Sequence, residues 1–391
     1  MGKSRRSVVR RSKNPANAGR PLVTPLSLSV AYHYQDADQL QAVYTDQIEG
    51  FTYARYGNPN AVVLAEKLSW MEGAQVGVMT ASGMSALSSV FMALLKAGDR
   101  IAAATQLYGQ SLKMAKRVLP RMGFQTAFFD APDPSTFAQA IQPGTRIVLT
   151  EIVSNPMLRI TDFHALVKVV KDAGALLLVD NTFTTPSGFR PLENGADLVM
   201  HSVTKMLSGH SDLNLGYLGA NDPELLHQID DIVSNLGLNA SPYNCWMAER
   251  GLHTFDLRLK QAQENADKLA RFLSEHPKIS AVHYPGLPSH PDHVLAKELL
   301  TGGFGTMVGF VLKGSRENAN AFLRAAENIP YGSTLGDVAT MVIIPSVSSH
   351  REFSRDERLK LGIEDNLIRV SVGIESFDLI KEDFQDALEA A

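Results

Sequence analysis

The sequence of 391 residues contains one cysteine, Cys245, so no intramolecular disulfide can form. Its longest apolar runs, such as residues 175–179, are far shorter than the roughly 20 residues that a membrane-spanning helix needs. The net charge of −4 argues against a general nucleic-acid-binding surface. No apolar signal-peptide core follows Met1, so we expect a cytoplasmic protein whose partners are neither membranes nor nucleic acids.

One stretch departs from this balance, because six basic residues lie within positions 3–13. They are Lys3, Arg5, Arg6, Arg10, Arg11 and Lys13. We interpret the stretch as a solvated tail. Contact with an anionic partner or with a neighbouring subunit is the alternative interpretation.

From about residue 61, helical patterns alternate with short apolar runs, which predicts an α/β domain with a mostly parallel sheet flanked by helices. The predicted strands are residues 100–104, 125–130, 146–151, 175–180 and 197–204. The predicted helices are residues 82–97, 110–120 and 162–172. Ser82 can cap the first of these helices, and Gly174 follows the end of the last.

Beyond residue 221 the predicted strands become sparse, and residues 241–276 form a helical pattern that we expect to be interrupted at Gly251. The remaining pattern predicts strands at 305–312 and 367–372 and helices at 317–326 and from about 377. These elements indicate a second and smaller α/β domain. We therefore expect an N-terminal arm at residues 1–60, a large domain at 61–255 and a C-terminal domain at 256–391.

Polar residues follow the apolar runs at the strand ends, where ligands bind in an open α/β sheet. The run 175–179 ends in Asp180, and the run 198–200 is followed by Lys205. A carboxylate and a lysine in these positions suit pyridoxal 5'-phosphate, because the amine can bind its aldehyde and the carboxylate can keep its ring nitrogen protonated. Alone, Asp180 could be a helix cap and Lys205 a surface residue, but the pair favours this cofactor.

A phosphate group needs a cradle of backbone N–H donors. The segment Ser82-Gly83-Met84 provides small residues where a helix is predicted to begin, although plain helix capping is an alternative explanation. Ser202 and Thr204 lie two residues apart in an extended segment, so their hydroxyl groups can point the same way and donate to the same phosphate.

Other kinds of site find less support. His290 and His293 lie beside prolines and without the cysteine or carboxylate set of a zinc site, so we expect no metal. The sequence has neither a glycine-rich dinucleotide fingerprint nor a Gly-x-x-x-x-Gly-Lys-Ser/Thr loop. Cys245 lies in a helical pattern and is interpreted as a core residue.

An ordered series of motifs runs from about Pro21 to the C-terminus. The motifs are Tyr53-Ala-Arg55-Tyr-Gly-Asn58-Pro59, Ser82-Gly83-Met84, Tyr108-Gly109, Asp180-Asn181-Thr182, Ser202-Val-Thr204-Lys205, Gly209-His-Ser-Asp212, Tyr284-Pro-Gly-Leu287 and Arg369-Val-Ser-Val-Gly373-Ile-Glu375. The series resembles the pyridoxal-phosphate enzymes of cysteine and methionine metabolism, which include cystathionine gamma-synthase, cystathionine lyases, homoserine sulfhydrylases and methionine gamma-lyase. The resemblance implies the PLP-dependent transferase fold, fold type I.

The resemblance also implies three catalytic residues. Lys205 looks like the lysine that binds the cofactor covalently, and Asp180 looks like the partner of the pyridine nitrogen. Tyr108 resembles the aromatic residue that stacks on the ring and moves protons near the leaving group, and Asn155 would lie near the cofactor's phenolic oxygen. The residues that resemble the phosphate contacts are Gly83, Met84, Ser202 and Thr204.

Substrate and subunit contacts are implied in the same way. Arg369 resembles the arginine that binds the substrate α-carboxylate, with Thr334 and Tyr53 as further substrate contacts. Tyr53 and Arg55 resemble the pair that reaches into the neighbouring subunit's site and binds its cofactor phosphate. We therefore expect a homo-oligomer, and the homotetramer that is usual for the family.

The implied reaction is γ-elimination from an L-amino acid with a sulfur- or oxygen-linked substituent, such as methionine, homocysteine, cystathionine or canavanine. The alternatives are γ-replacement on an activated homoserine and a cofactor-binding regulator without turnover. Four residues depart from the family pattern, namely Ala54, Gln110, Thr334 and Ala339. Gln110, Thr334 and Ala339 imply altered substrate recognition, whereas Ala54 should leave the flanking phosphate contacts in place. Residues 348–351 add an arginine, Arg351, to a segment that we interpret as a surface turn.

Overall fold

The computed structural model describes residues 17–391. The basic stretch at positions 3–13, with its interpretation as a tail, lies outside the described residues. Within residues 17–391, no helix is long and apolar enough to cross a membrane. The N-terminal part of the described chain contains helix α1 (Ala37–Tyr44), which begins where the Asp36 carboxylate accepts a hydrogen bond from the Gln39 N–H at 2.9 Å.

The larger of two sheets has seven strands. They are β1 (Val76–Thr80), β2 (Arg100–Ala104), β3 (Gln125–Phe129), β4 (Thr145–Glu151), β5 (Leu176–Asp180), β6 (Leu198–Ser202) and β7 (Gly216–Ala220). Their order is β1-β7-β6-β5-β4-β2-β3, and β7 is the strand that runs antiparallel to its neighbours. This mostly parallel sheet confirms the predicted α/β class, and the five strands predicted from the sequence all form.

Helices cover both faces of this sheet. They are α2 (Pro59–Glu72), α3 (Gly83–Leu94), α4 (Gly109–Lys113), α5 (Leu119–Arg121), α6 (Phe137–Ala140), α7 (Phe163–Asp172), α8 (Thr185–Gly188), α9 (Pro223–Asn235) and α10 (Pro242–Leu252). The helix predicted at 110–120 is divided, because a π-helical segment, Met114–Val118, separates α4 from α5.

Sequence analysis missed β1 and β7, which pair with each other. Both strands contain glycine, a residue that strands usually disfavour. Gly77 is required by close packing, since a Cβ at this position would lie 2.4 Å from Ser69 Oγ and 2.6 Å from the Tyr217 ring. The chain passes from β1 directly into α3, which brings the N-terminus of α3 to the sheet edge beside Ser202.

The smaller sheet is antiparallel and has four strands. They are β8 (Ile279–His283), β9 (Met307–Leu312), β10 (Met341–Ile343) and β11 (Leu367–Ser371), in the order β10-β11-β9-β8. The remaining helices are α11 (Phe255–Ser274), α12 (His293–Leu299), α13 (Arg316–Ala325), α14 (Arg355–Lys360) and α15 (Phe377–Ala390). Sequence analysis missed the strands β8 and β10, of which β10 has three residues.

The predicted interruption at Gly251 is wrong, because Gly251 lies inside α10 and the break comes at His253 and Thr254. A Cβ at position 251 would lie 2.4 Å from the carbonyl oxygen of Ser208, so the glycine permits a close approach of the loop that follows Lys205. From α11, which begins after the break, Arg258 donates hydrogen bonds to carbonyl oxygens of that same loop. We propose residue 255 as the boundary between the two domains.

Candidate active site

A cavity of about 310 Å³ lies at the carboxyl ends of β4, β5 and β6, beside the N-terminus of α3. Its opposite wall comes from residues 333–351 and from β11. The predicted site residues that line it are Gly83, Met84, Tyr108, Asn155, Asp180, Ser202, Thr204, Lys205, Thr334 and Arg369. Residues carried by both sheets therefore meet in one cavity.

Asp180 is the last residue of β5 and lies at the floor of the cavity. Its Oδ1 accepts hydrogen bonds from the Thr182 backbone N–H at 3.0 Å and the Thr182 hydroxyl at 2.5 Å. Oδ2 has no hydrogen-bond partner among residues 17–391. Desolvation raises the pKa of Asp180, whereas its two hydrogen bonds with Thr182 lower the pKa by a smaller amount. A cationic partner at the cavity floor would therefore stabilise the ionised form of Asp180.

Glu151 ends the neighbouring strand β4 and pairs in register with Asp180. Its Oε1 accepts a hydrogen bond from the Tyr108 backbone N–H at 2.5 Å. Burial, and then the charge of Asp180, raise the pKa of Glu151 well above its ordinary value. Sequence analysis gave this residue no role, although it directly follows an apolar run as Asp180 does.

Lys205 follows β6 and faces the opposite wall of the cavity, which residues 333–351 and β11 form. Its Nζ donates a hydrogen bond to Thr334 Oγ1 at 3.2 Å. Burial, together with the positive charge of Arg369, lowers the pKa of Lys205 to about 8. The amine is therefore partly neutral near physiological pH, which is the form that can attack a carbonyl carbon or accept a proton.

Arg369 lies on β11 with 4% of its surface exposed. Its Nη1 donates to Asn155 Oδ1 and its Nη2 to the Thr334 carbonyl oxygen, both at 3.0 Å. Nε is buried and has no hydrogen-bond partner among the described residues. Burial lowers the pKa of Arg369 to about 10, so the guanidinium stays charged at neutral pH and keeps donors available for an anion.

The N-terminus of α3 forms the other end of the cavity. Ser82 caps this twelve-residue helix, since its Oγ accepts a hydrogen bond from the Ser85 N–H at 3.1 Å. A Cβ on Gly83 would lie 2.9 Å from the Cβ of Ser202, so only glycine lets the helix approach the end of β6 this closely. The Thr204 hydroxyl donates a hydrogen bond to the Leu215 carbonyl oxygen at 3.3 Å and accepts one from the Leu215 backbone N–H at 3.0 Å.

These features fit pyridoxal 5'-phosphate. Lys205 provides an amine with a lowered pKa, and Asp180 provides a carboxylate with an oxygen that bonds to no described residue. A buried carboxylate of this kind gains most from a cationic partner such as a protonated ring nitrogen. The backbone donors at the start of α3 suit a phosphate, because helix N-termini bind anions.

Tyr108 precedes α4 at the mouth of the cavity, with 37% of its surface exposed. Desolvation raises the pKa of its phenol, an effect that the charge of Arg369 opposes and that of Glu151 increases. The phenol therefore keeps its proton at neutral pH and can donate it.

Tyr53 and Arg55 do not join the cavity of their own chain. The Arg55 guanidinium stacks over the ring of Tyr56 at 4.4 Å and donates a hydrogen bond to the Ser234 carbonyl oxygen at 3.0 Å. Tyr53 lies beside it and is exposed. The pair is thus at the surface of the chain, where a neighbouring molecule could reach it.

The segment at 348–351 differs from its interpretation as a plain surface turn. It does form a turn after the short 3₁₀ helix Pro345–Val347, but Ser348, Ser349 and Arg351 line the cavity. Sequence analysis missed these lining residues because no local pattern shows that this turn faces the ends of the parallel strands.

Comparison with known proteins gives one consistent result. The sequence profile of the family described as Cys/Met metabolism PLP-dependent enzyme matches residues 6–389. The chain is 36% identical over 368 residues to cystathionine gamma-lyase from Dictyostelium discoideum, which covers 94% of this chain and 93% of the relative. It is also 36% identical over 371 residues to L-methionine gamma-lyase from Fusobacterium nucleatum subsp. polymorphum, with coverage of 94% and 93%.

Solved structures agree with these relatives. Cystathionine gamma synthase from Xanthomonas oryzae pv. oryzae, solved in complex with cystathionine, superposes with a TM-score of 0.90 at 36% identity. The match covers 94% of this chain and 93% of the solved one. Lyases and a synthase are therefore similar to this chain to the same degree.

Proposed function

The chain belongs to the Cys/Met metabolism PLP-dependent enzyme family and has its fold, fold type I, and from this premise we propose that it is a γ-lyase. In the proposed reaction, the enzyme breaks the bond between the γ-carbon of an L-amino acid and a sulfur- or oxygen-linked substituent. One water molecule is consumed, and the products are the released substituent with a proton, a 2-oxo acid and ammonia.

One observation carries this proposal. Thr334 joins the amine of Lys205 to the guanidinium of Arg369, because its hydroxyl accepts from Nζ at 3.2 Å and its carbonyl oxygen accepts from Nη2 at 3.0 Å. A group that can remove a proton and a group that can bind a carboxylate therefore lie on either side of one residue. This spacing suits an α-amino acid, in which the carboxylate and the acidic C–H share one carbon.

The proposed cofactor contacts follow from the cavity. Lys205 would bind the cofactor covalently, Asp180 would bind its ring nitrogen, and Asn155 would lie near its phenolic oxygen. When bound, pyridoxal phosphate supplies an aldehyde that captures amines and a ring that stores negative charge. The proposed phosphate contacts are Gly83, Met84, Ser202 and Thr204.

Three residues of the chain would then act on the substrate. Arg369 binds the α-carboxylate through the N–H donors that are not used in its hydrogen bonds to Asn155 and Thr334. A guanidinium suits this task because it can bind a carboxylate with two donors at once. Lys205 is the one lysine among the residues that line the cavity, so it moves the protons at the α-carbon. Tyr108 keeps its phenolic proton at neutral pH and can donate it to the departing group.

A second candidate reaction is γ-replacement, in which a thiol takes the place of the γ-substituent. The solved cystathionine gamma synthase favours it, because that enzyme matches this chain with the same identity and coverage as the lyases. The two reactions need the same cofactor and the same proton transfers, and they differ in whether a thiol can enter the site.

We also propose a homo-oligomer, a homotetramer, in the cytoplasm. Tyr53 and Arg55 lie outside the cavity of their own chain, which agrees with a role in a neighbouring subunit's site. The segment before them exposes apolar side chains, including Leu22, Val23 and Leu28, which a second copy of the chain could cover. The single cysteine, Cys245, is buried and suits a reducing compartment.

The experiment is a panel of γ-substituted L-amino acids incubated with the cofactor-loaded enzyme. The panel contains L-homocysteine, L-methionine, L-cystathionine, L-canavanine and O-acyl-L-homoserines, and 2-oxo acid and ammonia are measured with and without cysteine or sulfide. Release of oxo acid without a thiol, on one substrate far above the others, supports the lyase. Turnover that needs the thiol overturns it in favour of replacement, and no turnover on any substrate favours the regulator without catalysis.

A further inference from the structure

A second guanidinium reaches the cavity in addition to that of Arg369. Arg351 belongs to the turn after β10, whereas Arg369 lies on β11, and both line the same space. The two differ in their surroundings, because Arg369 is buried and hydrogen-bonded while Arg351 is exposed at the rim. The α-carboxylate of an amino acid needs one of these guanidinium groups, which leaves the other without a partner from that part of the substrate.

The turn that carries Arg351 is held in place by packing. His350 has 1% of its surface exposed and donates its backbone N–H to the Pro345 carbonyl oxygen at 3.0 Å. A Cβ on Gly109 would lie 1.8 Å from the Ser349 carbonyl oxygen, so the turn lies directly against the residue that follows Tyr108. The backbone at Arg351 is therefore held beside the mouth of the cavity.

The Arg351 guanidinium forms no ion pair within the described residues. The pKa of the adjacent Glu352 is lowered mainly by its hydrogen bond to Lys113, and the charge of Arg351 makes the smallest contribution. Glu352, the adjacent carboxylate, forms an ion pair with Lys113 at 2.7 Å and a longer one with Arg117 at 3.7 Å. In the described part of the chain, the Arg351 guanidinium has no carboxylate within 4.0 Å. A further cation, Lys116, stacks over the ring of Phe353 at 5.2 Å, so the rim as a whole is basic.

The acidic groups inside the cavity do not neutralise the rim. Asp180 lies at the cavity floor and bonds to Thr182, and Glu151 bonds to the Tyr108 backbone. Desolvation by burial raises the pKa of both carboxyl groups. An anionic group that enters past Tyr108 would thus meet a guanidinium that no carboxylate of the described residues holds in an ion pair.

We propose that Arg351 binds a carboxylate at the far end of the γ-substituent, so that the enzyme prefers L-amino acids whose leaving group carries a second negative charge. This inference rests on the proposed action at the γ-carbon, with Arg369 occupied by the α-carboxylate. A guanidinium presents paired donors to a carboxylate, which strengthens the interaction and sets its geometry. The distal carboxylate can belong to an acyl group or to an amino-acid thiol.

The test compares two esters that differ in the distal carboxylate, O-succinyl-L-homoserine and O-acetyl-L-homoserine, with L-cystathionine as the amino-acid thiol. We expect kcat/KM of the cofactor-loaded enzyme to be at least about tenfold higher for the succinyl than for the acetyl ester. Arg351→Gln should remove most of this preference by raising KM for the succinyl ester, with the acetyl ester changed less than about twofold. The loss of kcat/KM that Arg351→Gln causes on L-cystathionine, compared with the loss on the succinyl ester, shows whether Arg351 binds the carboxylate of an amino-acid thiol or that of an acyl group.

Arg355→Gln is the matched control, because Arg355 lies four residues further on, is 71% exposed and pairs with Asp365 at 3.4 Å. It should leave the preference unchanged. The proposal is overturned if wild-type enzyme shows no preference for the succinyl ester, or if Arg351→Gln slows both esters by the same factor, as loss of local structure would.

A binding measurement separates this proposal from the proposed reaction. L-2-aminosuberate and L-2-aminooctanoate have chains of equal length and no γ-leaving group, and they differ in the distal carboxylate. We expect calorimetry to show that the cofactor-loaded enzyme binds the first at least about tenfold more tightly, and that Arg351→Gln removes the difference. If neither ester reacts but the enzyme still binds L-2-aminosuberate more tightly, the proposed reaction is wrong and the proposed carboxylate site is supported. Equal affinities of the wild-type enzyme for the two compounds overturn the carboxylate site.

Discussion

The two ends of the cavity are built in different ways. The cofactor end consists of the carboxyl ends of β4, β5 and β6 with the N-terminus of α3, all regular elements. The substrate end consists of residues 333–351, which contain few regular elements, together with Arg369 from the antiparallel sheet. The residues proposed to bind the cofactor therefore lie mainly at the ends of regular elements, whereas the residues proposed to recognise the leaving group lie on loops.

The difference is visible in the hydrogen bonds that hold each end. At the cofactor end, β4 and β5 are parallel and Glu151 pairs with Asp180 in continuous register. At the substrate end, the segment around Thr334 is attached by single bonds, such as that from the Gly336 N–H to Ser371 Oγ at 2.7 Å and that from the Val338 N–H to the Gly209 carbonyl oxygen at 3.0 Å. Loops held in this way tolerate substitution better than a parallel sheet does.

The largest effect should come from Lys205→Ala at the cofactor end. Because Lys205 is the one lysine among the lining residues, we expect turnover to fall by about 10³-fold or more in a steady-state assay. Lys260→Ala, an exposed lysine on α11, is the control and should retain activity. Full turnover by Lys205→Ala would refute the assignment.

A second test concerns the buried layer behind the cofactor end. Glu72 is fully buried and accepts hydrogen bonds from Asn181 Nδ2 at 2.8 Å and from His201. Glu72→Ala removes the acceptor of both groups, and Asn181 Nδ2 keeps only its bond to the Phe189 carbonyl oxygen. We therefore expect the free energy of unfolding to fall by about 3 kcal/mol, measured by urea denaturation. Glu66→Ala, exposed on the same helix, should change it by less than about 0.5 kcal/mol.

The third test moves to the substrate end. Arg369→Lys keeps the positive charge but loses the planar pair of donors, and it also removes bonds to Asn155 and Thr334. We expect KM to rise by about 10–50-fold with a smaller change in kcat, in initial-rate measurements on the best substrate. A fall in kcat with KM unchanged would contradict a role in binding the carboxylate.

The smallest expected effect is a pH dependence of Lys205. The pKa of this lysine is lowered to about 8, so the neutral amine is present at a lower pH than for an ordinary lysine. About a tenth of the amine is neutral at pH 7, and the fraction increases until about pH 9. The test adds pyridoxal phosphate to the cofactor-free protein and follows covalent binding by absorbance. The rate of binding should rise about tenfold between pH 7 and pH 9 and then level off. A rise that continues beyond pH 10 would mean that burial leaves the amine unchanged.

The sequence predicted the parts of the site whose signal is local. Asp180 ends an apolar run of a buried strand, and Lys205 follows another, so their position at one edge of the sheet could be inferred from the pattern alone. Glu151 also ends an apolar run, but it was given no role, because a carboxyl group that accepts a hydrogen bond from the Tyr108 backbone has no motif of its own. Gly251 was misinterpreted as a helix break, because the sequence alone does not distinguish a glycine that ends a helix from one that close packing requires inside a helix.

By itself, the sequence determined the α/β class through its periodic apolar runs and the family through its ordered series of motifs. It also predicted which residues lie at the cofactor end, since polar residues at strand ends are a pattern of neighbouring positions. Only the tertiary structure decided that Arg351 faces the cavity, that Thr334 joins Lys205 to Arg369, and which charges remain uncompensated at the rim. The physical reason is that these contacts join positions far apart in the chain. Their energies depend on burial and on neighbouring charges, which exist only after the two sheets have packed together.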